Sequence, residues 1–173
     1  MKKLISLLLI LGLSLCLCAC DFLSEQKEDV LFYYQRIDYS YRNDNGIIAP
    51  EERELAGYRN NLPYLMTLYF HGPLTDNLTS PFPSGIAVMD IRTEENTMVV
   101  TLNSVFTQLK DLDLSIASIC LAKTCFGLSD VQEVRIEALS TTSGENISIL
   151  ITRDNYLLED TIPTGTAPTE KID

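Results

Sequence analysis

Apolar residues alternate with polar ones in several short stretches of this chain, and the spacing lengthens to a helical repeat in two others. "VLFYY", Val30 to Tyr34, is an aromatic and branched run that reads as a buried strand. Ile37, Tyr39 and Tyr41 continue the alternation and predict that this strand runs on toward a sheet edge. In "IAVMDIR", Ala87, Met89 and Ile91 share one face, while Asp90 and Arg92 share the other. In "TMVVTLN", Met98, Val100 and Leu102 face in, and Thr97, Thr101 and Asn103 face out. The polar "TEEN" between them predicts a hairpin. "VQEVRIEAL" puts Val134, Ile136 and Ala138 inside against Glu133, Arg135 and Glu137 outside. "ISILITR" puts Ile147, Ile149 and Ile151 inside, and "TTSGEN" joins these last two strands.

Two segments follow the helical period. In "NNLPYLMTLYFHGP", Leu62, Leu65, Met66, Tyr69 and Phe70 recur at helical spacing. Asn61 is positioned to cap this helix, Pro63 fits its first turn, and Gly72-Pro73 stops it. "LSIASICLAKTCF" is a broadly apolar second helix with Asp113 as its expected cap and Gly127 as its stop. The order is β-α-β-β-α-β-β. Strands with one polar face, together with only two helices, predict a two-layer α+β sandwich. Both helices cover one face of a mostly antiparallel sheet, and the other face is open to water.

The amino end does not belong to this pattern. "MKK" supplies positive charge and "LISLLLILGLSLCLCA" an unbroken apolar run, shorter than the roughly 20 residues that span a bilayer. That is the anatomy of a secretory signal. It ends in "LCAC", with Leu17 at −3 and Ala19 at −1 relative to Cys20. Cleavage before Cys18 or Cys16 would put Leu17 or Leu15 at −1, so only Cys20 fits. The pattern resembles that of bacterial lipoproteins, and the resemblance implies a diacylglyceryl thioether on Cys20. Two acyl chains anchor stably where one would be marginal. The expected organisation is a signal over residues 1–19, a tether over 20–28, a folded domain over 29–160 and a disordered Thr- and Pro-rich tail over 161–173.

Charge narrows the partners. The chain of 173 residues has 13 Lys and Arg against 24 Asp and Glu, a net charge of −11. Removal of the signal, with Lys2 and Lys3, makes it more acidic still. Such a chain is repelled by phosphate backbones, and no basic stripe interrupts the acidity, so nucleic-acid binding is disfavoured.

Few residues suggest chemistry. His71 is the one histidine, placed at a helix end where it complements the dipole. No Gly-x-Ser-x-Gly elbow accompanies it. Cys120 and Cys125 fall on different faces of one helix and read as buried free thiols. With one histidine and two such cysteines, no metal-ligand cluster is expected, and no cofactor is implied. Glu51, Glu52 and Glu54 flank Arg53 in "PEERE", which reads as a solvated turn entered through Pro50 rather than as an acid–base pair. The loop between Gly72 and Gly85 lacks a phosphate-binding spacing.

The order of the longer motifs is informative. "LFYY", "APEERE", "YLMTLYFHGPLTDNLTSPFPSGIAVMDI", "MVVTLNSVF" and "ICLAKTCFGLSDVQEVRIEA" follow one another between Val30 and Ala138. In this order they resemble the GerMN domain of sporulation and spore-germination proteins. The chain departs from that pattern at Ala138, where the family often has Gly, and it has one copy where some members have two. The resemblance implies a fold like the ring-building domains of sporulation channels. It also implies a lipid-anchored, extracytoplasmic role in assembly at the cell membrane, with no reaction of its own. The expected partners are the membrane, through the anchor, and an envelope protein or a second copy. Candidate contact residues are Tyr39 and Tyr41 near the sheet edge and Pro50, Glu51, Glu52 and Arg53 in the "APEERE" segment. The alternative is a lipoprotein that binds the cell wall or a small ligand, with exposed tyrosines stacking on sugars.

Overall fold

The structure is a computed structural model, and it describes residues 29–38, 46–139 and 146–154. Cys20, the signal, the tether, Tyr39, Tyr41, the "TTSGEN" connection and the tail over 161–173 lie outside the described residues.

Among the described residues, seven strands and two α-helices form an α+β sandwich with two open, mostly antiparallel sheets. Strand β1 (Val30–Arg36) is central in a three-stranded sheet. It pairs antiparallel with β2 (Ile48–Arg53) on one side and with the short β3 (Leu78–Thr79) on the other. Helix α1 (Leu62–Phe70) lies between β2 and β3 in the chain. A second, four-stranded sheet has the order β4-β5-β6-β7, with β4 (Val88–Glu94), β5 (Thr97–Leu102), β6 (Glu133–Ala138) and β7 (Ile147–Thr152). The β5–β6 pair is parallel, and helix α2 (Asp111–Leu128) makes the crossover that such a pair requires.

Alternation sets the core. Val30, Phe32 and Tyr34 point inward from β1, and Met98, Val100 and Leu102 do so from β5. Val134, Ile136 and Ala138 from β6 and Ile151 from β7 complete the same apolar cluster. Helix α2 is apolar almost all round because it is enclosed almost all round, against β1, β6 and β7. It also lies along the edge of β1, where the fully buried Thr124 hydroxyl accepts the Tyr33 N–H at 3.0 Å. That bond replaces the strand partner Tyr33 would otherwise need.

Helix α1 starts as its sequence demands. The Asn61 side chain accepts the Tyr64 N–H at 3.2 Å, and Pro63 occupies the first turn, where its missing N–H costs nothing. Gly72 follows the helix at φ +96°, a conformation that favours glycine.

Several expectations are corrected. "APEER" is not a solvated turn but most of strand β2. It is an edge strand, which is where a proline can sit in a sheet. The sheet divides in two rather than forming one. Strand β1 ends at Arg36, and Ile37 sits in an exposed turn instead of extending the strand. Met89 does not face in with Ile91, because a bulge between Val88 and Asp90 takes it out of register and leaves it 68% exposed. Gly127 lies within α2, which runs on to Leu128. Asp113 is not its cap. Lys110 holds that position, and Asp111 and Asp113 sit in the first turn, where negative charge complements the dipole.

Candidate functional site

A groove of about 530 Å³ runs between helix α1 and the start of strand β4. Pro63, Thr67, Phe70 and His71 recur at helical spacing and form one wall. The other wall is the chain from Ile86 to Ile91. Strand β4 is the last strand of its sheet, and among the described residues nothing pairs with its outer edge. The floor is apolar, with Phe70, Ile86, Val88 and Ile91 packed onto the core.

A buried polar network holds the helix side of this groove in place. In β2 the alternation turns Ala49, Glu51 and Arg53 inward, while Pro50 and Glu52 face solvent. Arg53 donates to Glu51 Oε1 through Nε at 2.7 Å and approaches it through Nη2 at 2.6 Å. The same Nη2 donates to the Gly72 carbonyl at 2.7 Å, just beyond the end of α1. Glu51 Oε2 accepts the N–H groups of Leu74 and Thr75, each at 2.8 Å. The guanidinium lies 4.9 Å from the Phe32 ring centroid. Beneath it, the Tyr34 hydroxyl donates to Tyr69 O at 2.8 Å and the Tyr69 hydroxyl donates to Tyr33 O at 3.0 Å. Helix α1 and the loop after it are thus fixed to the three-stranded sheet by one ion pair and two tyrosines.

Electrostatics follow from this wiring. Burial alone would raise the Glu51 pKa, but hydrogen bonds from Thr75, Arg53 and Leu74 outweigh it and hold the carboxyl below its ordinary value. Burial pushes the phenols of Tyr34 and Tyr69 upward. It also pushes up the Cys120 thiol, and takes Cys125 to about 12, so both are inert thiols. Both cysteines are buried and free, as the spacing predicted. His71 is exposed, and its Nδ1 lies 2.6 Å from the Thr67 carbonyl, so that nitrogen carries the proton and donates it.

The outer face of the four-stranded sheet is charged. Arg92 bonds Asp90 and Glu94 at 2.8 Å each and reaches Glu137 at 3.7 Å, while Arg135 reaches Glu94 at 3.7 Å. Val99 lies between Arg92 and Arg135 in register and is fully buried, although it points to this outer face. The arginine stems cover it.

The candidate contact residues therefore separate. Pro50 and Glu52 are exposed on an edge strand, whereas Glu51 and Arg53 are structural and turned inward. An inward Glu-x-Arg pair is legible as alternate positions of a strand once "APEER" is read as one. The groove itself has no sequence signal, since α1 and β4 are brought together only by the fold. Among the described residues, no cluster of His, Cys, Asp and Glu could hold a metal ion. No described helix is long and apolar enough to cross a membrane.

No family model matches the chain, and no curated protein matches it. The GerMN resemblance rests on the quoted motifs alone. Among solved structures the chain is similar to a lipoprotein, provisionally so named, from Clostridium perfringens. The similarity has a TM-score of 0.45 at 13% identity and covers 73% of this chain and 89% of that one.

Proposed function

We propose that this protein is a lipid-anchored docking module on the extracytoplasmic face of the cell membrane, acting by binding an envelope protein and carrying out no reaction itself. The anchor reading rests on "LCAC" and the thioether it implies at Cys20. The docking reading rests on one observation: an open strand edge faces a helix across a groove with an apolar floor, and a buried ion pair fixes that helix. Grooves of this form, with a rigid wall and unpaired main-chain groups, take up extended segments of partners. The GerMN-like motif order supports a reading of such docking as envelope assembly, of the kind used in sporulation or germination.

Two measurements test this. The native amino-terminal peptide should carry diacylglycerol on Cys20, and Cys20→Ser should release the protein from the membrane. A photo-crosslinker at Met89, beside the groove, should give one discrete adduct with an envelope protein, while the same group at Leu112 should give none. A bare Cys20 sulfur, or equal labelling from both positions, would contradict the proposal. A second reading is favoured by the groove volume, which falls in the range of small-molecule sites. In that reading the protein binds a cell-wall fragment, and it would co-sediment with purified peptidoglycan in a manner blocked by a bulky Thr67→Trp substitution.

A further inference from the structure

We infer that the β4 edge binds an extended protein segment in which apolar residues alternate with Lys or Arg. The inference deepens the docking reading above and rests on it. It starts from main-chain geometry. The β4–β5 hairpin closes on Glu94 and Thr97 around two residues, and the Asn103 N–H donates to Ala87 O at 3.0 Å. Both fix the antiparallel pattern, in which Asp90, Arg92 and Glu94 exchange their main-chain hydrogen bonds with β5. The N–H and C=O groups of Ile91 and Thr93 consequently point away from β5, along the open edge. An unpaired edge is a template for another strand, and proteins usually blunt it. Here the bulge at Met89 kinks the start of the edge but also leaves a large apolar side chain exposed there.

The two faces of an added strand would meet different chemistry. On the groove side its residues meet an apolar floor of Phe70, Ile86, Val88 and Ile91, with Thr67 and His71 on the facing helix wall. On the outer side they continue the charged face of the sheet. That face holds Asp90, Glu94, Glu133 and Glu137 against only Arg92 and Arg135, and both arginines already contact acids. The residues of β4 beside the new strand would be Asp90 and Glu94 flanking a committed Arg92. A cation at alternate positions of the incoming strand meets an unbalanced carboxylate, and a carboxylate there meets like charge. Period-two alternation of apolar and basic residues satisfies both faces at once.

The test uses the mature protein as isolated, in detergent micelles, and two fluorescein-labelled peptides, one alternating valine with lysine and one alternating valine with glutamate. Fluorescence anisotropy should show saturable binding of the lysine peptide, about tenfold tighter than the glutamate peptide at low salt. The double variant Asp90→Lys with Glu94→Lys changes exposed side chains only, and it should reverse that preference while far-UV circular dichroism is unchanged. Failure to bind either peptide would overturn the inference, as would a preference that the double variant does not move. A concentration-dependent dimer that excludes the lysine peptide would also overturn it, by assigning the edge to a second copy. Since the peptides act on the isolated protein, these outcomes are independent of Cys20 acylation and of cellular crosslinking, so the docking reading can fail or stand separately.

Discussion

The two sheets treat polarity in opposite ways. At the three-stranded sheet, Glu51 and Arg53 are withdrawn from water and bonded to each other and to Tyr34, Leu68, Gly72, Leu74 and Thr75. At the four-stranded sheet, Arg92 and its acids stand in solvent at 42% to 54% side-chain exposure, and the strand beside them ends in an open edge. The two regions have similar charges and similar distances but different energetics. A buried pair is costly to break because the remaining charge cannot reach water, whereas an exposed one exchanges protein for solvent at little cost. The clamped region fixes a groove wall, and the open region leaves its main chain available.

The largest effect should follow from breaking the buried pair. Arg53→Ala leaves the Glu51 carboxylate enclosed without its cation and should lower unfolding stability by about 3–5 kcal/mol in urea denaturation. A loss under about 1 kcal/mol would show that water reaches the pair. Tyr69→Phe removes the buried donor to the Tyr33 carbonyl, and should cost about 1–3 kcal/mol.

Titration separates the regions further. The Glu51 pKa is lower in the folded protein than in the unfolded chain, so its contribution is fully present above the ordinary carboxylate value of about 4.3. That contribution is lost as pH falls through the lowered folded value. Glu51→Gln should flatten the acid limb of stability against pH, and an unchanged limb would contradict the assignment. At the alkaline end the sign is reversed. The Cys125 thiol is held at about 12 by burial, against about 8.5 unfolded, so its contribution is intact below about 8.5 and declines as pH rises toward 12. Cys125→Ala should shallow that decline. The smallest effect belongs to the open face, where Asp90→Asn should change stability by no more than about 0.5 kcal/mol.

Much of this architecture was legible in the sequence where a face is wholly apolar. Val30, Phe32 and Tyr34, the inward set of β6 and the isoleucines of β7 needed only the two-residue period. Asn61 and Pro63 announced α1. The pattern misled where a local irregularity or a distant partner decides the outcome. A single extra residue at Met89 broke the expected parity at the start of β4, turning Val88 inward in place of Met89. Glu51 and Arg53 look like solvent residues because their compensation comes from Gly72, Leu74 and Thr75, remote in the chain. Val99 looks outward and is buried because two arginine stems from neighbouring strands lie over it. The groove belongs to the same class, since neither α1 nor β4 encodes the other's position.

Everything turns on whether the β4 edge is open for docking, and residue-resolved amide hydrogen exchange on the mature protein decides it. Ile91 and Thr93 should exchange many times faster than Arg92 between them, and should slow down when an extended segment binds. Exchange of Ile91 and Thr93 as slow as that of Arg92 in the protein alone would show the edge already covered and unavailable for docking.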